Sequence, residues 1–228
     1  MSSFIPILIL MENQTETLQK EPLFNIPPLT LWLSILLLLC FGVLQNGAWF
    51  DRFVPLLSFI PQQFTADPLR HLYTIVTYAL LHFGWMHIGV NLAGLIAFGS
   101  GAERLLGRKN FCFILLGGII LGALGHWALF PQDTNPLGGA SAGISALFGA
   151  VLPMMLKRRD LIIASVVFIL TNILFGTMGM PNSPGVLVAW QAHIFGFLFG
   201  IIFVLILMKI KRHASEELRP VPAKADEV

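Results

Sequence analysis

Residues 188–208 read VAWQAHIFGFLFGIIFVLILM, an apolar stretch whose single ionisable residue is His193. A helix needs about 20 consecutive apolar residues to cross the hydrocarbon core of a bilayer. The stretch Val188–Met208 therefore predicts a membrane-spanning helix. An ionisable side chain inside such a helix is energetically costly, and it points to a functional site.

The composition of the whole chain has the same membrane character. Hydrophobic residues make up 56% of it and charged residues 11%, whereas soluble domains carry about 25% charged residues. The net charge of +2 is too small to indicate a partner nucleic acid. Cys40 and Cys112 both lie in apolar stretches, where we expect small hydrophobic side chains rather than a disulfide.

Six apolar segments predict an all-α, polytopic membrane protein that folds as a six-helix bundle. The chain divides into a cytoplasmic N-terminal segment (residues 1–27), a membrane domain (28–208) and a disordered cytoplasmic tail (209–228). A start of translation at Met11 is a hypothesis for the first segment, and residues 46–81 are predicted to lie against the outer interface. The predicted spans are Pro28–Gln45, Met86–Glu103, Phe111–Phe130, Ser141–Leu156, Leu161–Met178 and Val188–Met208.

Basic residues predict the orientation of this bundle. Lys and Arg follow the second, fourth and sixth spans, but the loops after the third and fifth spans contain neither. By the positive-inside rule, both termini are cytoplasmic. The short tails favour a bacterial cytoplasmic (inner) membrane. The basic residues are Arg104, Arg108, Lys109, Lys157, Arg158, Arg159, Lys209, Lys211 and Arg212.

Ser141 opens the fourth span within Gly139-Ala140-Ser141-Ala142-Gly143. This segment fits the pattern G-x-S-x-G, but a nucleophile elbow needs a preceding strand, and none is predicted. At the N-terminus of a helix, unpaired backbone N–H groups and the helix dipole would favour a developing anion. The alternative is a helix N-cap serine, followed by small residues for packing.

Small residues predict that the fourth and sixth spans approach each other closely. His193, Gly196 and Gly200 share one helical face. A comparable stripe on the fourth span contains Ser141, Ser145 and Gly149. Such faces let helix backbones come together in membranes, which would bring Ser141 to His193. A serine with an adjacent histidine suggests nucleophilic catalysis, whereas a lone histidine would more simply bond to a neighbouring carbonyl.

No carboxylate is placed to orient His193, so the sequence predicts a Ser–His dyad rather than a triad. Asp133 lies in the loop before Ser141, and Glu103 lies at the inner end of the second span. Glu103 and Arg104 are predicted to form a structural pair there. His126 has no predicted partner, and neither has His71.

A third polar cluster lies near the outer end of the second span. His87 and Asn91 are one helical turn apart, and their N–H groups could stabilise an oxyanion together with the Ser141 backbone N–H. His82 and His87 could instead bind a metal ion. Their spacing differs from that of H-E-x-x-H, no carboxylate lies between them and no third ligand is evident. No metal ion or cofactor is predicted.

These motifs together resemble the rhomboid family of intramembrane serine proteases. The matching features are His82-x₄-His87-x₃-Asn91, Gly139-Ala140-Ser141 and Ala192-His193-x₂-Gly196-x₃-Gly200. The resemblance implies Ser141 as nucleophile, His193 as general base and acid, and an oxyanion hole of His87, Asn91 and the Ser141 N–H. It further implies supporting roles for His82, Gly139, Gly143, Gly196 and Gly200. The fifth span and the loop Gly179–Leu187 would form a lateral gate and cap.

The chain departs from the family pattern in three places. Ala142 follows the serine where many members have glycine, and Ser145 stands where some members carry an aromatic residue. Tyr73-Thr74 stands where many have Trp-Arg. The first two departures bear on efficiency and substrate preference.

The resemblance implies an intramembrane serine endopeptidase, acting through an acyl-enzyme on transmembrane segments of other membrane proteins. The partners would be those substrates and the lipid bilayer. One alternative is a catalytically silent relative that binds membrane proteins for quality control or trafficking. A small transporter with a proton relay is another, although no inverted repeats are visible. No oligomeric state is predicted.

Overall fold

A computed structural model describes residues 25–44, 47–178 and 189–217. The all-α prediction is confirmed: within these ranges the chain forms helices, and the one β-type pairing is an isolated antiparallel bridge between Phe59 and Leu137. The helices are α1 (Pro28–Leu44), α2 (Gly47–Leu57), α3 (Pro61–Ala66), α4 (Thr74–Thr77), a 3₁₀ turn (Tyr78–Leu80), α5 (Trp85–Gly94), a π-helical turn (Leu95–Gly99), α6 (Ser100–Leu129), α7 (Ser141–Met155), α8 (Arg158–Met178) and α9 (Trp190–Glu217).

In the part of the chain that the structure describes, three helical stretches are long and apolar enough to cross a membrane: Trp85–Leu129, Arg158–Met178 and Trp190–Ala214. Pro28–Leu44 and Ser141–Met155 are apolar but shorter. The first stretch breaks at Gly107, whose backbone has φ 78° and ψ 164°, a conformation that glycine adopts without a steric penalty. This break separates the predicted second and third spans. The count of six spans stays a prediction.

The surface of the bundle is apolar, as expected for helices in lipid. α8 has no buried residue along its length, although it is an apolar helix. Large side chains elsewhere are likewise exposed, including Trp32 at 67% and Leu39 at 63%. A soluble monomer rarely exposes contiguous apolar surface on this scale. The chain is therefore an integral membrane protein whose outer surface contacts the bilayer.

The core lies where α6, α7 and α9 pack together through small residues. A methyl group added at Gly200 would overlap the carbonyl oxygen of Ala146, and one at Gly196 would overlap that of Ala142. A methyl group at Gly149 would overlap the carbonyl oxygen of Phe197. The predicted close approach of the fourth and sixth spans is thus present. Because α7 and α9 touch backbone to backbone, their first turns meet as well.

Glu103 has a different partner from the one predicted. It accepts hydrogen bonds from the backbone N–H groups of Leu29 (3.1 Å) and Thr30 (2.9 Å) and from the Thr30 hydroxyl (3.0 Å). Its nearest cation is Arg108, 3.8 Å away, whereas Arg104 donates to the carbonyl of Asn25. The predicted Glu103–Arg104 pair is therefore wrong. Consecutive helical residues do not face each other. The carboxylate instead accepts hydrogen bonds from unpaired backbone N–H groups at the start of α1.

One prediction about the periphery also changes. The predicted disordered tail is helical at its start, because α9 continues past Met208 to Glu217. Within residues 47–81 the chain forms the short helices α2 to α4 and buries Phe59, Phe64 and Tyr78 in the core. The location of this segment against the outer interface stays a prediction. The N-terminal segment up to residue 24, the predicted cap Gly179–Leu187 and the tail from residue 218 lie outside the described residues.

Candidate active site

The loop that leads into α7 is held by backbone hydrogen bonds to the segment before α5. Leu137 and Phe59 exchange N–H···O bonds of 2.9 and 3.3 Å, and the Gly139 N–H donates to the Tyr78 carbonyl at 2.9 Å. Gly139 has a φ of 112°, which favours glycine. A Cβ at Gly139 would lie 2.6 Å from the His87 Nε2 atom. The loop therefore needs glycine at this position for two independent reasons.

Ser141 is the first residue of α7, and its side chain contacts His193. The Ser141 Oγ atom lies 2.7 Å from His193 Nε2. The N-cap of α7 is Ala140, and no side-chain cap is present. The alternative of an N-cap serine is thus not the arrangement found, since the hydroxyl points to the imidazole. At 2.7 Å the hydroxyl can donate its proton directly to Nε2.

Asn172 of α8 completes the surroundings of this histidine. Its Oδ1 atom lies 2.8 Å from His193 Nδ1. This residue is absent from the predicted site, because a carboxylate is the usual partner of such a histidine. A signal was available in the sequence, since Asn172 is a polar amide inside the apolar span Leu161–Met178.

His87 and Asn91 lie on α5 and face the same cavity as Ser141. The backbone N–H of Phe83 donates to His87 Nδ1 at 3.3 Å. Because Nδ1 accepts there, the proton of a neutral His87 ring is assigned to Nε2. That nitrogen is the one beside Gly139. Asn91 is buried, and one of its two amide N–H groups donates to the His87 carbonyl at 2.9 Å.

The remaining predicted residues pack around this centre. His82 is buried, and its ring lies 5.0 Å from the His87 ring, centroid to centroid. Gly143 abuts α6, where a Cβ would lie 2.8 Å from the Leu115 carbonyl oxygen. Ser145 is buried and lines the cavity. Across the described ranges, no three His, Cys, Asp or Glu side chains converge as a metal site would require.

His126 has two side-chain partners, whereas none was predicted for it. Its Nε2 lies 3.1 Å from Asp133 Oδ2, and its Nδ1 lies 3.2 Å from Gln191 Oε1. Partial burial alone would raise the pKa of Asp133, but hydrogen bonds from Asn135 and His126 outweigh this effect and lower it. The network joins the end of α6, the loop before Ser141 and the first turn of α9. It therefore fixes both chain segments that carry the Ser141–His193 contact.

One cavity of about 480 Å³ is lined by the polar side chains His87, Asn91, Ser141, Asn172 and His193. The rest of its wall is mostly apolar, with the side chains of Met86, Val90, Phe98, Ile144, Phe168 and Phe175. A cavity of this size and character suits an extended apolar segment with one polar group presented to Ser141.

Comparisons with known proteins identify a matching family and several relatives. The Rhomboid domain family matches residues 69–210. The chain is 32% identical over 143 residues to YdcA of Bacillus subtilis, which covers 61% of this chain and 70% of YdcA. It is 25% identical over 178 residues to the rhomboid protease GluP of Bacillus subtilis, which covers 76% of this chain and 34% of GluP.

A mitochondrial relative is also similar. The presenilin-associated rhomboid-like protein A of Danio rerio is 26% identical over 158 residues, which covers 64% of this chain and 41% of that protein. The family match includes the segments that carry His82, His87, Asn91, Ser141 and His193. The chain belongs to the rhomboid family.

Proposed function

We propose that this rhomboid family member is an intramembrane serine endopeptidase that cleaves transmembrane segments of other membrane proteins. The single observation that carries the proposal is the 2.7 Å separation between Ser141 Oγ and His193 Nε2. The relative GluP bears the name of a rhomboid protease, which supports the same reaction class here.

In the proposed reaction, Ser141 Oγ attacks the carbonyl carbon of the scissile peptide bond. Its proton passes to His193 Nε2, which acts as general base. The tetrahedral intermediate then collapses: the C–N bond breaks, and His193 returns the proton to the leaving amine. An ester links Ser141 to the acyl half of the substrate. Water, activated by His193 in the same way, hydrolyses that ester and regenerates the hydroxyl.

The oxyanion of the intermediate would be stabilised by three donors. These are the His87 Nε2–H, the second N–H of the Asn91 amide and the backbone N–H of Ser141. The assignment of the His87 proton to Nε2 rests on the Phe83 N–H, which occupies Nδ1. One such donor typically contributes about 10²–10³ in rate.

We propose that substrates reach this cavity sideways, past α8. This helix has no buried residue, so its displacement costs less core packing than that of α7. A substrate helix must unwind so that a peptide bond can reach Ser141. Extended backbone is tolerable at membrane depth only inside protein or a wet cavity, and the cavity of about 480 Å³ provides such a space.

The proposed cellular setting follows from charge. Basic residues after α7 and along the end of α9 support cytoplasmic termini and an outward-facing Ser141. We propose a bacterial cytoplasmic membrane as the location. We also propose that residues 28–208 form the catalytic membrane domain.

The test is cleavage of a single-span model substrate in proteoliposomes, with Ser141→Ala and His193→Ala beside the wild type. We expect the wild type to cut and each variant to lose about 10⁴-fold or more in kcat. Ser165→Ala is a matched control, because the Ser165 hydroxyl bonds only within α8, to the Leu161 carbonyl. A fluorophosphonate should label the wild type and Ser165→Ala, but not Ser141→Ala or His193→Ala.

A wild type that neither cuts several substrates nor takes the fluorophosphonate label would contradict the proposal. That result would favour the alternative, a silent relative that binds membrane proteins. Cleavage that survives in Ser141→Ala would assign the activity to another protein in the preparation.

A further inference from the structure

We infer that Asn172 is a positioning residue that fixes the tautomer and orientation of His193, so that the site works as a Ser141–His193–Asn172 array. The inference rests on the proposed function. It starts from the 2.8 Å separation between Asn172 Oδ1 and His193 Nδ1, on the side of the ring opposite Ser141.

A carbonyl of α8 fixes which end of the Asn172 amide faces His193. Asn172 Nδ2 donates to the Phe168 carbonyl oxygen at 2.9 Å. A carbonyl oxygen can only accept, so the NH₂ group must lie on that side. The amide oxygen is then the atom that faces His193, and it too can only accept.

The tautomer of His193 follows from that orientation. Facing an acceptor, Nδ1 must carry a proton, and the neutral ring then has a free lone pair on Nε2. The lone pair on Nε2 is what the Ser141 proton needs. In the opposite tautomer, Nε2 would carry a hydrogen and could not serve as a base. Asn172 therefore does for His193 what the aspartate does in a Ser-His-Asp triad, without a buried charge.

Packing holds Asn172 in register with His193. Phe168 and Gly176 lie one helical turn to either side of Asn172 on the same face of α8. The Phe168 ring stacks on Phe197 of α9, with centroids 4.3 Å apart and an interplanar angle of 22°. At the other end, a methyl group at Gly176 would overlap the Trp190 side chain, the first of α9. Two contacts thus bracket the hydrogen bond.

The same arrangement makes His193 dependent on the position of α8. Ser141 and His193 sit on α7 and α9, which pack tightly, whereas the acceptor for Nδ1 sits on a helix without a buried residue. When α8 moves away from α9, His193 loses its partner at Nδ1. The histidine is therefore fully oriented only while α8 is docked.

The test compares Asn172→Leu, which has a similar shape but no acceptor, with Asn172→Asp, which keeps an oxygen at the same place. For Asn172→Leu we expect kcat to fall by about 10- to 100-fold, with KM within about 2-fold of the wild-type value. Asn172→Asp should recover most of kcat, because a protonated carboxyl can keep both hydrogen bonds: its O–H donates to the Phe168 carbonyl, and its carbonyl oxygen accepts from Nδ1–H. Thr177→Val is a matched control that removes a side-chain bond to the Ile173 carbonyl and leaves His193 untouched.

A second measurement does not need activity. In ¹⁵N-histidine NMR spectra of the micelle-bound protein, His193, assigned by its absence in His193→Ala, should show a protonated Nδ1. In Asn172→Leu the signal should shift towards the other tautomer. If the wild type has its proton on Nε2, or if Asn172→Leu has wild-type kcat and an unchanged spectrum, the inference is wrong while the protease proposal stands. If the wild type does not cleave at all, the protease proposal fails and the NMR result alone decides the role of Asn172.

Discussion

A comparison of Gly139→Ala with Gly107→Ala separates backbone strain from displacement of His87 in the proposed oxyanion hole. Gly139 has a φ of 112°, and a Cβ there would lie 2.6 Å from His87 Nε2. Gly107 has a φ of 78°, but a Cβ there meets nothing within 4 Å. Alanine at either position pays a backbone penalty of about 1–3 kcal/mol. Only Gly139→Ala also displaces the His87 ring.

The size of that displacement predicts the effect on kcat. Non-bonded carbon and nitrogen atoms rest about 3.5–4.0 Å apart, so a contact of 2.6 Å would move the His87 ring by about 1 Å. A displacement of that order can cost about 10²-fold in rate. The loss of one oxyanion donor costs a similar amount. We therefore expect Gly139→Ala to lower kcat by about 10²-fold, through His87.

The assay measures kcat and the melting temperature of both variants in the same detergent. Gly107→Ala should lower the melting temperature while its kcat at a permissive temperature stays at the wild-type value. Gly139→Ala should lose both stability and kcat. Wild-type kcat in Gly139→Ala would refute the reasoning, and so would an equal loss of kcat in Gly107→Ala.

Two further predictions follow from packing and from charge. Gly200→Ala should destabilise the protein by about 1–3 kcal/mol, because the new methyl group overlaps the Ala146 carbonyl oxygen; Gly42→Ala, which meets no atom within 4 Å, should be nearly neutral in the same unfolding titration. Asp133 has a pKa below its ordinary value of 3.8, so its contribution to stability is present above pH 3.8 and is lost as the pH falls through the lower folded value. In Asp133→Asn, the melting temperature should no longer show this part of its pH dependence across the acid range. If the variant loses stability in acid as the wild type does, other carboxyl groups are responsible.

The contact between Ser141 and His193 could be predicted because it depends on helix-face geometry. The spacing of the small residues indicates which sides of two helices can touch, and Ser141 and His193 lie at the end of those stripes. Each of the two residues can be placed from the sequence of its own helix. The only further inference needed is that the two helices approach each other closely. This approach is well constrained, because the glycines let the two helix backbones touch directly.

Asn172 and the partners of His126 could not be placed by such a rule. Asn172 lies 21 residues from His193 and His126 lies 65 residues from Gln191, and neither pair shares a spacing pattern. Which side of α8 faces α9 depends on a stack of two phenylalanine rings, and apolar spans contain many phenylalanines. The predicted sixth span ends at Met208, nine residues before α9 ends at Glu217, for another reason. Lys and Arg mark where lipid ends, but they are good helix formers and do not end the helix.

The carboxylate of Glu103 also has a consequence for the order in which the protein is made. Its partner Thr30 precedes it by 73 residues, and ribosomes add about 5–20 residues per second. Helix α1 therefore waits about 4–15 s after synthesis before the group that accepts its leading N–H bonds has been added. During that interval water, headgroups or an insertion factor must bind those donors. Biogenesis of this protein thus includes a stage in which α1 is present but not yet docked.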